Sequence, residues 1–197
     1  MNKIVRSGVL FAVVSLSACA SRIVPARSTA PKTSAELLTR GLNYALAGDD
    51  LAAEQYLSAA RAAGEPEDRV VRELIKVCVR AGRLEQARQH GENYVERFPD
   101  DNVIRFALAS IYFAKGDGLS ARHELEQLVV EWPEHAESHF LLGLILRDQF
   151  SDMSGARRSL EQYLALAPTG AHATEARGWI KRSATFPVAA TNARRTP

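Results

Sequence analysis

Few side chains in this chain have the spacing that chemistry requires. His135 and His139 stand four residues apart, which can place two metal ligands on one helix face. Their order differs from the zinc-protease motif H-E-x-x-H, and no third ligand is evident, so surface histidines at a helix start are the better interpretation. The sequence has no Ser/His/Asp group, no glycine-rich phosphate loop and no cysteine pair with metal spacing. We therefore predict a protein that is not an enzyme and uses no cofactor or metal.

The N-terminal segment is typical of an exported protein. Lys3 and Arg6 precede a short apolar run, residues 9–16, which is too short to span a bilayer. The following Leu16-Ser17-Ala18-Cys19 resembles the lipobox of bacterial lipoproteins. This resemblance implies cleavage before Cys19 and attachment of acyl chains such as palmitate to it, which would make a stable membrane anchor. An ordinary secretory signal peptide is the alternative.

The residues after Cys19 bear on which membrane holds the anchor. Ala20 and Ser21 follow it, whereas in enterobacteria-like sorting an Asp there would retain a lipoprotein at the inner membrane. We therefore expect a location in the cell envelope, at the outer membrane and facing the periplasm.

The mature chain is electrically balanced. Loss of residues 1–18 removes two basic residues and no acidic one, so the formal charge falls from +2 to 0, with 23 charges of each sign. A neutral chain argues against nucleic acid as a ligand. Once Cys19 is acylated, Cys78 has no partner for a disulfide, and we expect it to behave as a small buried apolar residue.

A repeat of 34 residues organises the rest of the sequence. Glycines recur at 48, 82 and 116, and alanines recur at 53, 87 and 121. A period of 34 is typical of stacked helix–turn–helix units, in which glycine occupies the turns. Apolar periodicity and capping residues predict helix pairs at 34–47 with 50–63, 67–81 with 84–98, 102–115 with 118–131 and 134–148 with 154–167, followed by a last helix at 170–183.

The repeats resemble the tetratricopeptide (TPR) motif, with Leu-Gly, Tyr, Ala, a bulky residue and Pro at fixed spacing. The matching residues are Leu37, Gly41, Tyr44, Ala53, Leu57 and Ala60; Leu74, Cys78, Gly82, Ala87, Tyr94 and Pro99; Leu108, Ala109, Tyr112, Ala121, Leu125 and Pro133; and Leu142, Gly143, Leu146, Ala156, Leu160 and Pro168. This resemblance implies an all-α, right-handed α-solenoid of about four TPR helix pairs with a C-terminal capping helix.

Four segments follow from these patterns. Residues 1–18 form the lipoprotein signal peptide, 19–33 the lipidated cysteine and a flexible linker, 34–183 the TPR domain with its capping helix, and 184–197 a disordered tail.

Two places depart from the motif. In the second repeat Ile75 replaces a small residue, Gly91 replaces a bulky one and Tyr94 takes a position that usually holds Ala, so bulk is moved rather than lost. The fourth repeat has one extra residue within 148–155, which either splays its helix pair or bulges the turn.

The family resemblance implies a concave groove lined by the first helix of each pair. The second repeat contributes four cations at helical spacing, which form a basic band unless they are only a solvated helix face. Aromatic residues beside them favour a binding surface for a protein or peptide that bears acidic groups or a C-terminal carboxylate. The expected groove residues are Leu38, Leu42, Arg69, Arg72, Lys76, Arg80, Phe106, Ser110, Phe113, Phe140, Leu144 and Arg147.

These features together predict a non-enzymatic scaffold for protein–protein interaction, anchored by lipid in the bacterial envelope. The chain is similar to TPR lipoproteins that assist the assembly of pilus or secretion complexes. Two alternatives stay open: an adaptor that recruits an envelope protease or a peptidoglycan hydrolase, and an accessory of β-barrel assembly.

Overall fold

A computed structural model describes residues 33–185, which form nine α-helices. The helices are α1 Ser34–Ala47, α2 Asp50–Ala62, α3 Glu67–Arg80, α4 Leu84–Val95, α5 Asn102–Lys115, α6 Gly118–Glu131, α7 Ala136–Asp148, α8 Met153–Leu166 and α9 Ala173–Thr185. Each helix packs mainly on its neighbours in sequence, as expected for a helical-repeat fold. No helix within this range is both long and apolar enough to cross a membrane. The predicted signal peptide, the linker as far as residue 32 and the tail from residue 186 lie outside the described residues.

Local signals explain where the helices begin and end. Thr33 and Glu36 form a capping box at the start of α1, with each side chain accepting from the other residue's backbone N–H. Asp49 and Asp101 cap α2 and α5 by accepting hydrogen bonds from backbone N–H groups of the first turn. Gly48, after α1, has a φ of 80°, a left-handed conformation that glycine adopts without strain.

Close helix contacts inside a repeat depend on a glycine that faces a leucine. A Cβ built on Gly41 of α1 would lie 2.8 Å from Leu57 Cγ of α2, and one on Gly143 of α7 would lie 2.8 Å from Leu160 of α8. The equal distances show that the fourth pair is as tightly closed as the first. The extra residue therefore bulges the turn, where Ser151 takes a φ of 53°, and does not splay the helices.

The second repeat inverts this arrangement, as its departures from the motif predicted. Ile75 is buried in the core. Gly91 stands 34 residues after Leu57, so it takes in α4 the repeat position that Leu57 takes in α2. The space at Gly91 is filled from the next repeat, because a Cβ there would lie 3.1 Å from Leu108 Cδ1 on α5. Tyr94 is 4% exposed, and its hydroxyl donates to Asp101 at 3.0 Å. The Leu108 side chain of the third repeat thus completes the core of the second.

Arg105 of α5 is a charged residue inside the third repeat. It is 6% exposed, its Nη1 donates to Glu131 of α6 at 2.6 Å, and its Nη2 donates to the carbonyl oxygen of Pro99 at 2.5 Å. Glu124 lies farther off, with 3.6 Å between its Oε2 and the Arg105 Nε. A buried guanidinium with this many acceptors holds the start of α5 against α6.

Ion pairs join the start of one helix to the end of the next. In each pair a carboxylate lies near the N-terminus of one helix, and its cation, 30 residues later, lies near the C-terminus of the next. Each charge is therefore opposite in sign to the partial charge of its helix end, which is favourable. Arg88, and then Lys115, lower the pKa of the Glu85 carboxyl to about 2. These exposed pairs contribute little stability individually, and they mark the junctions between consecutive helices. They are Asp50–Arg80, Glu67–Arg97 and Glu85–Lys115.

The last helix closes the C-terminal end of the stack. Ala173 and Ala176 of α9 are 3% and 1% exposed, and Trp179 and Ile180 pack on the same core. The preceding turn is fixed because the His172 backbone N–H donates to the Tyr163 hydroxyl at 2.9 Å. The His172 ring also stacks on Phe140, with 4.1 Å between centroids.

Candidate binding groove

The odd-numbered helices form one face of the stack. α1 contacts α3, α3 contacts α5 and α5 contacts α7, whereas the even-numbered helices show no comparable contact with one another in residues 33–185. Helices on the inner side of a curved stack lie closer together than those on its outer side. The odd-numbered face is therefore the concave one.

An apolar depression lies on this face between α3 and α5. Its volume is 210 Å³, and Lys76 and Ser110 at its border belong to the set of groove residues expected from the sequence. Small side chains on α5 leave the space open, and Val79 beside it is 42% exposed. The complete lining is Ile75, Lys76, Val79, Leu84, Ala107, Ser110, Ile111 and Ala114.

A second depression lies between α1 and α3 and has a different character. Its volume is 250 Å³, and Leu38 and Leu42 form its apolar side. The other side holds Asp68, Arg69, Arg72 and Glu73, two charges of each sign. This depression therefore has no net preference for an acidic ligand.

Each cation of the expected basic band has a carboxylate partner. Arg69 pairs with Glu65 at 2.8 Å, and Lys76 pairs with Glu73 at 2.8 Å. The other two pairs are Arg72–Asp101, at 3.4 Å, and Arg80–Asp50. The structure thus shows a row of ion pairs across α3 instead of a band of uncompensated positive charge.

The remaining expected groove residues divide by burial. Leu38 and Phe140 are 4% and 6% exposed and belong to the core, so the expectation of an exposed aromatic anchor at Phe140 is wrong. It packs on Tyr163 and His172 because the capping helix covers it, which the repeat pattern alone does not reveal. The exposed members are Arg69, Lys76 and Arg80, and the half-buried ones are Leu42, Arg72, Phe106, Ser110, Phe113, Leu144 and Arg147.

Two half-buried aromatic residues of α5 support the core more than they offer an anchor. Phe106 and Phe113 pack against the core of the third and fourth repeats. Phe106 also meets the His135 ring edge-on, with 4.7 Å between centroids. Ser110 donates its hydroxyl to the Phe106 carbonyl oxygen at 2.9 Å, so it presents no free donor to the groove.

Asp101 connects the groove to the fold. It caps α5, accepts from the Tyr94 hydroxyl at 3.0 Å and pairs with Arg72 of α3. Burial works against ionisation of Asp101, yet the Ile104 N–H, the Tyr94 hydroxyl and Arg72 together hold its pKa below the usual value. Burial, and then the bond to Asp101, raises the pKa of Tyr94 to about 12. Arg72 is thus part of a structural junction, and its substitution would disturb packing as well as binding.

Comparison with known proteins identifies the repeat. The tetratricopeptide repeat family model matches residues 106–171. A TPR repeat-containing protein of Pseudomonas aeruginosa is 33% identical over 78 residues, which are 40% of this chain and 73% of that protein. The chain belongs to the tetratricopeptide repeat family. TPR proteins are typically non-catalytic scaffolds for protein–protein interaction, and membership of the family supports a general role in protein–protein interaction for this chain.

Solved TPR structures show the same fold at low identity. A tetratricopeptide repeat protein from Parabacteroides merdae superposes with a TM-score of 0.69 at 21% identity, covering 79% of this chain and 61% of that one. YrrB, described as a TPR protein with an unusual peptide-binding site, superposes with a TM-score of 0.64 at 18% identity and covers 74% of each chain. These likenesses establish the fold as an all-α helical repeat.

The two histidines that drew attention in the sequence have separate structural roles in this TPR stack. His139 is 9% exposed, and its Nε2 lies 2.9 Å from the Pro133 carbonyl oxygen, so the expectation of a surface histidine is wrong for it. His135 stacks on Trp132 with 3.9 Å between centroids, and its Nδ1 lies 2.8 Å from the Ser138 hydroxyl. Since each ring nitrogen bonded here faces a different partner, the pair forms no common ligand site.

Most residues that line the apolar depression are absent from the groove set expected from the sequence. Ile75 and Ile111 directly adjoin the expected groove residues Lys76 and Ser110 in sequence, whereas Leu84 begins α4, a helix to which no groove residue was assigned. Val79 and Ala114 could have been predicted from the sequence, because an exposed valine on one helix and a small residue on its neighbour leave an apolar gap. The repeat spacing predicts which face of each helix points to the groove. The depression between α3 and α5 depends instead on which side chains of the two neighbouring helices are small.

Proposed function

We propose that this TPR protein is a lipid-anchored scaffold of the bacterial envelope that holds a peptide segment of a partner against α3 and α5, and that the partner belongs to a pilus or secretion complex. The apolar depression between α3 and α5 is the observation that supports this proposal. Its size suits one or two apolar side chains, and its position on the concave face allows the rest of a peptide to follow the groove.

Lys76 is the charge best placed to select a peptide. Its side chain is 68% exposed, and it borders the depression. Within residues 33–185 it pairs only with Glu73 of its own helix, three residues earlier, at 2.8 Å. Exposed pairs of this kind contribute about 0–1 kcal/mol, so a partner carboxylate can share the ammonium at little cost. We therefore expect the segment to carry an apolar residue beside an acidic group.

Photocrosslinking in cells tests the groove. With a photoreactive residue at Ser110, we expect adducts to one partner, and Ala114→Glu in the same chain should lower their yield about tenfold. The new carboxylate would place a charge at the edge of an apolar surface while the exposed position of Ala114 keeps α5 intact. Adducts would be identified by mass spectrometry, and a pilus or secretion subunit is the expected partner.

A matched probe lies on the opposite face of the stack. Gln127 of α6 is exposed, and the same photoreactive residue there should give few adducts. Equal yields at both positions, or yields at Ser110 that Ala114→Glu leaves unchanged, would contradict a ligand in the groove. Adducts to a protease or a murein hydrolase would instead favour the adaptor alternative.

The anchor is tested by Cys19→Ala. Without the thiol, acyl chains cannot attach, and we expect the protein to move from the membrane pellet to the soluble envelope fraction. Fractionation with immunoblotting measures the change, and Cys78→Ala is the control because that residue lies buried in the repeats. If Cys19→Ala pelleted with membranes as the native chain does, the lipid anchor would be rejected.

A further inference from the structure

Three potential metal ligands from three helices converge where the first repeat meets the second. Glu54 belongs to α2, Cys78 to α3 and His90 to α4. One carboxylate oxygen, the Sγ atom and one ring nitrogen all lie within 4.8 Å of one another. Because the three residues are far apart in sequence, no motif of short, fixed spacing indicates this group.

The surroundings of the group are closed on one side and open on the other. Cys78 is fully buried, and burial raises the pKa of its thiol. Glu54 and His90 are half-buried, so a small ion can reach the group from their side. Burial, and then the charge of Arg61, lowers the pKa of His90, which leaves a neutral ring with a free lone pair.

The candidate ligand atoms of these three residues keep capacity to bind an ion. Within residues 33–185 neither the His90 ring nor the Cys78 thiol makes a hydrogen bond. Glu54 pairs with Arg83 through Oε2 at 2.5 Å, and a carboxylate with two oxygens can bridge a guanidinium and a second cation. A nucleophilic role for Cys78 is excluded by geometry, because a fully buried sulfur cannot meet a substrate.

We propose that Cys78 Sγ, a ring nitrogen of His90 and a carboxylate oxygen of Glu54 bind one zinc ion, with water as the fourth ligand. One sulfur, one nitrogen and one oxygen make a donor set of the borderline softness that zinc accepts. Ligand atoms around tetrahedral zinc stand about 3.3–3.8 Å apart, so side-chain adjustments of about 1 Å bring this group to binding geometry.

The charge balance favours a dication. On binding, the Cys78 thiol releases one proton to solvent, and the thiolate and the Glu54 carboxylate together neutralise Zn²⁺. Exchange of one proton for Zn²⁺ takes the net charge of the three ligands and the ion from −1 to 0, so the half-buried space gains one positive charge beside Arg83. The ion would join α2 of the first repeat to α3 and α4 of the second, a cross-link in a fold whose other contacts are local.

Cobalt titration of the untagged whole chain, carrying Cys19→Ser and kept reduced, tests the proposal. We expect one Co²⁺ per chain, a thiolate-to-cobalt charge-transfer absorption, and its loss when one equivalent of Zn²⁺ displaces the cobalt. Cys78→Ser should abolish the absorption. His90→Gln and Glu54→Gln should each weaken binding by about 10–100-fold or more, since even supporting residues of metal sites have effects of that size.

Controls separate a built site from surface histidines. His123→Gln removes an exposed histidine of α6 and should leave the titration unchanged. Because His90 and Glu54 are half-buried, their glutamine variants should keep the native helical circular dichroism, which secures the comparison if Cys78→Ser fails to fold. A titration without charge-transfer absorption, or equal losses in His90→Gln and His123→Gln, would overturn the proposal.

Discussion

Replacement of Arg105 by alanine is expected to lower the free energy of unfolding by about 2–3 kcal/mol. The guanidinium is buried, and its removal leaves Glu131 and the Pro99 carbonyl oxygen without their donor. It also leaves the Glu124 carboxylate without the positive charge that lies 3.6 Å away. The loss falls below that of a fully buried pair because the Glu131 side chain is 46% exposed and can turn to water. Chemical denaturation followed by circular dichroism measures the change.

Arg157 provides the matched control for this prediction. It pairs with Glu161 on the surface of α8 at 2.9 Å, and its side chain is 41% exposed. Arg157→Ala should therefore cost less than about 0.5 kcal/mol. Arg105→Met, which keeps the apolar stem, should fall between the native chain and Arg105→Ala. A cost for Arg105→Ala no larger than that for Arg157→Ala would show that the buried ion pair does not stabilise the third repeat.

A charge introduced under the capping helix should release it. Ala176 of α9 is 1% exposed, so Ala176→Asp places a carboxylate in the apolar contact with α8 and should cost about 3 kcal/mol or more. Undocking would expose Tyr163 and Phe140, which lie beneath the cap. With Trp132→Phe in the same chain, Trp179 is the sole tryptophan, and we expect its fluorescence emission to shift to longer wavelength.

Thr174→Asp separates burial from charge. Thr174 is exposed on the same helix, so the same carboxylate there should leave both the emission of Trp179 and the stability close to native values. If both variants shifted the emission equally, charge on α9 and not its burial would be responsible. If neither did, α9 would not be held by the Ala176 contact.

Helices and turns were largely predictable because their signals are local. The beginnings and ends of α1, α5 and α6 match the expected bounds, since glycines and aspartates at their ends act within a few residues. α7 begins at Ala136 instead of residue 134, and α9 at Ala173 instead of residue 170. Both differences arise in turns that tertiary bonds hold, such as the one from the His172 backbone to Tyr163.

The groove was less predictable because its properties arise between repeats. Arg72 and Arg80 find their carboxylates 29 and 30 residues away, and no pattern along one helix reveals such partners. The burial of Phe140 depends on a capping helix whose docking the repeat period does not describe. The convergence of Glu54, Cys78 and His90 has the same origin, since each residue lies on a different helix.

Contacts between the second and third repeats limit where this array can gain a unit. Repeat proteins lengthen when a unit is duplicated, which requires that any unit fit beside any other. Here Leu108 of the following repeat fills the gap at Gly91, and Asp101 of that repeat accepts a hydrogen bond from the Tyr94 hydroxyl. A copy inserted between them would have to supply both features. We therefore expect a unit inserted at this junction to destabilise the array unless it carries both features.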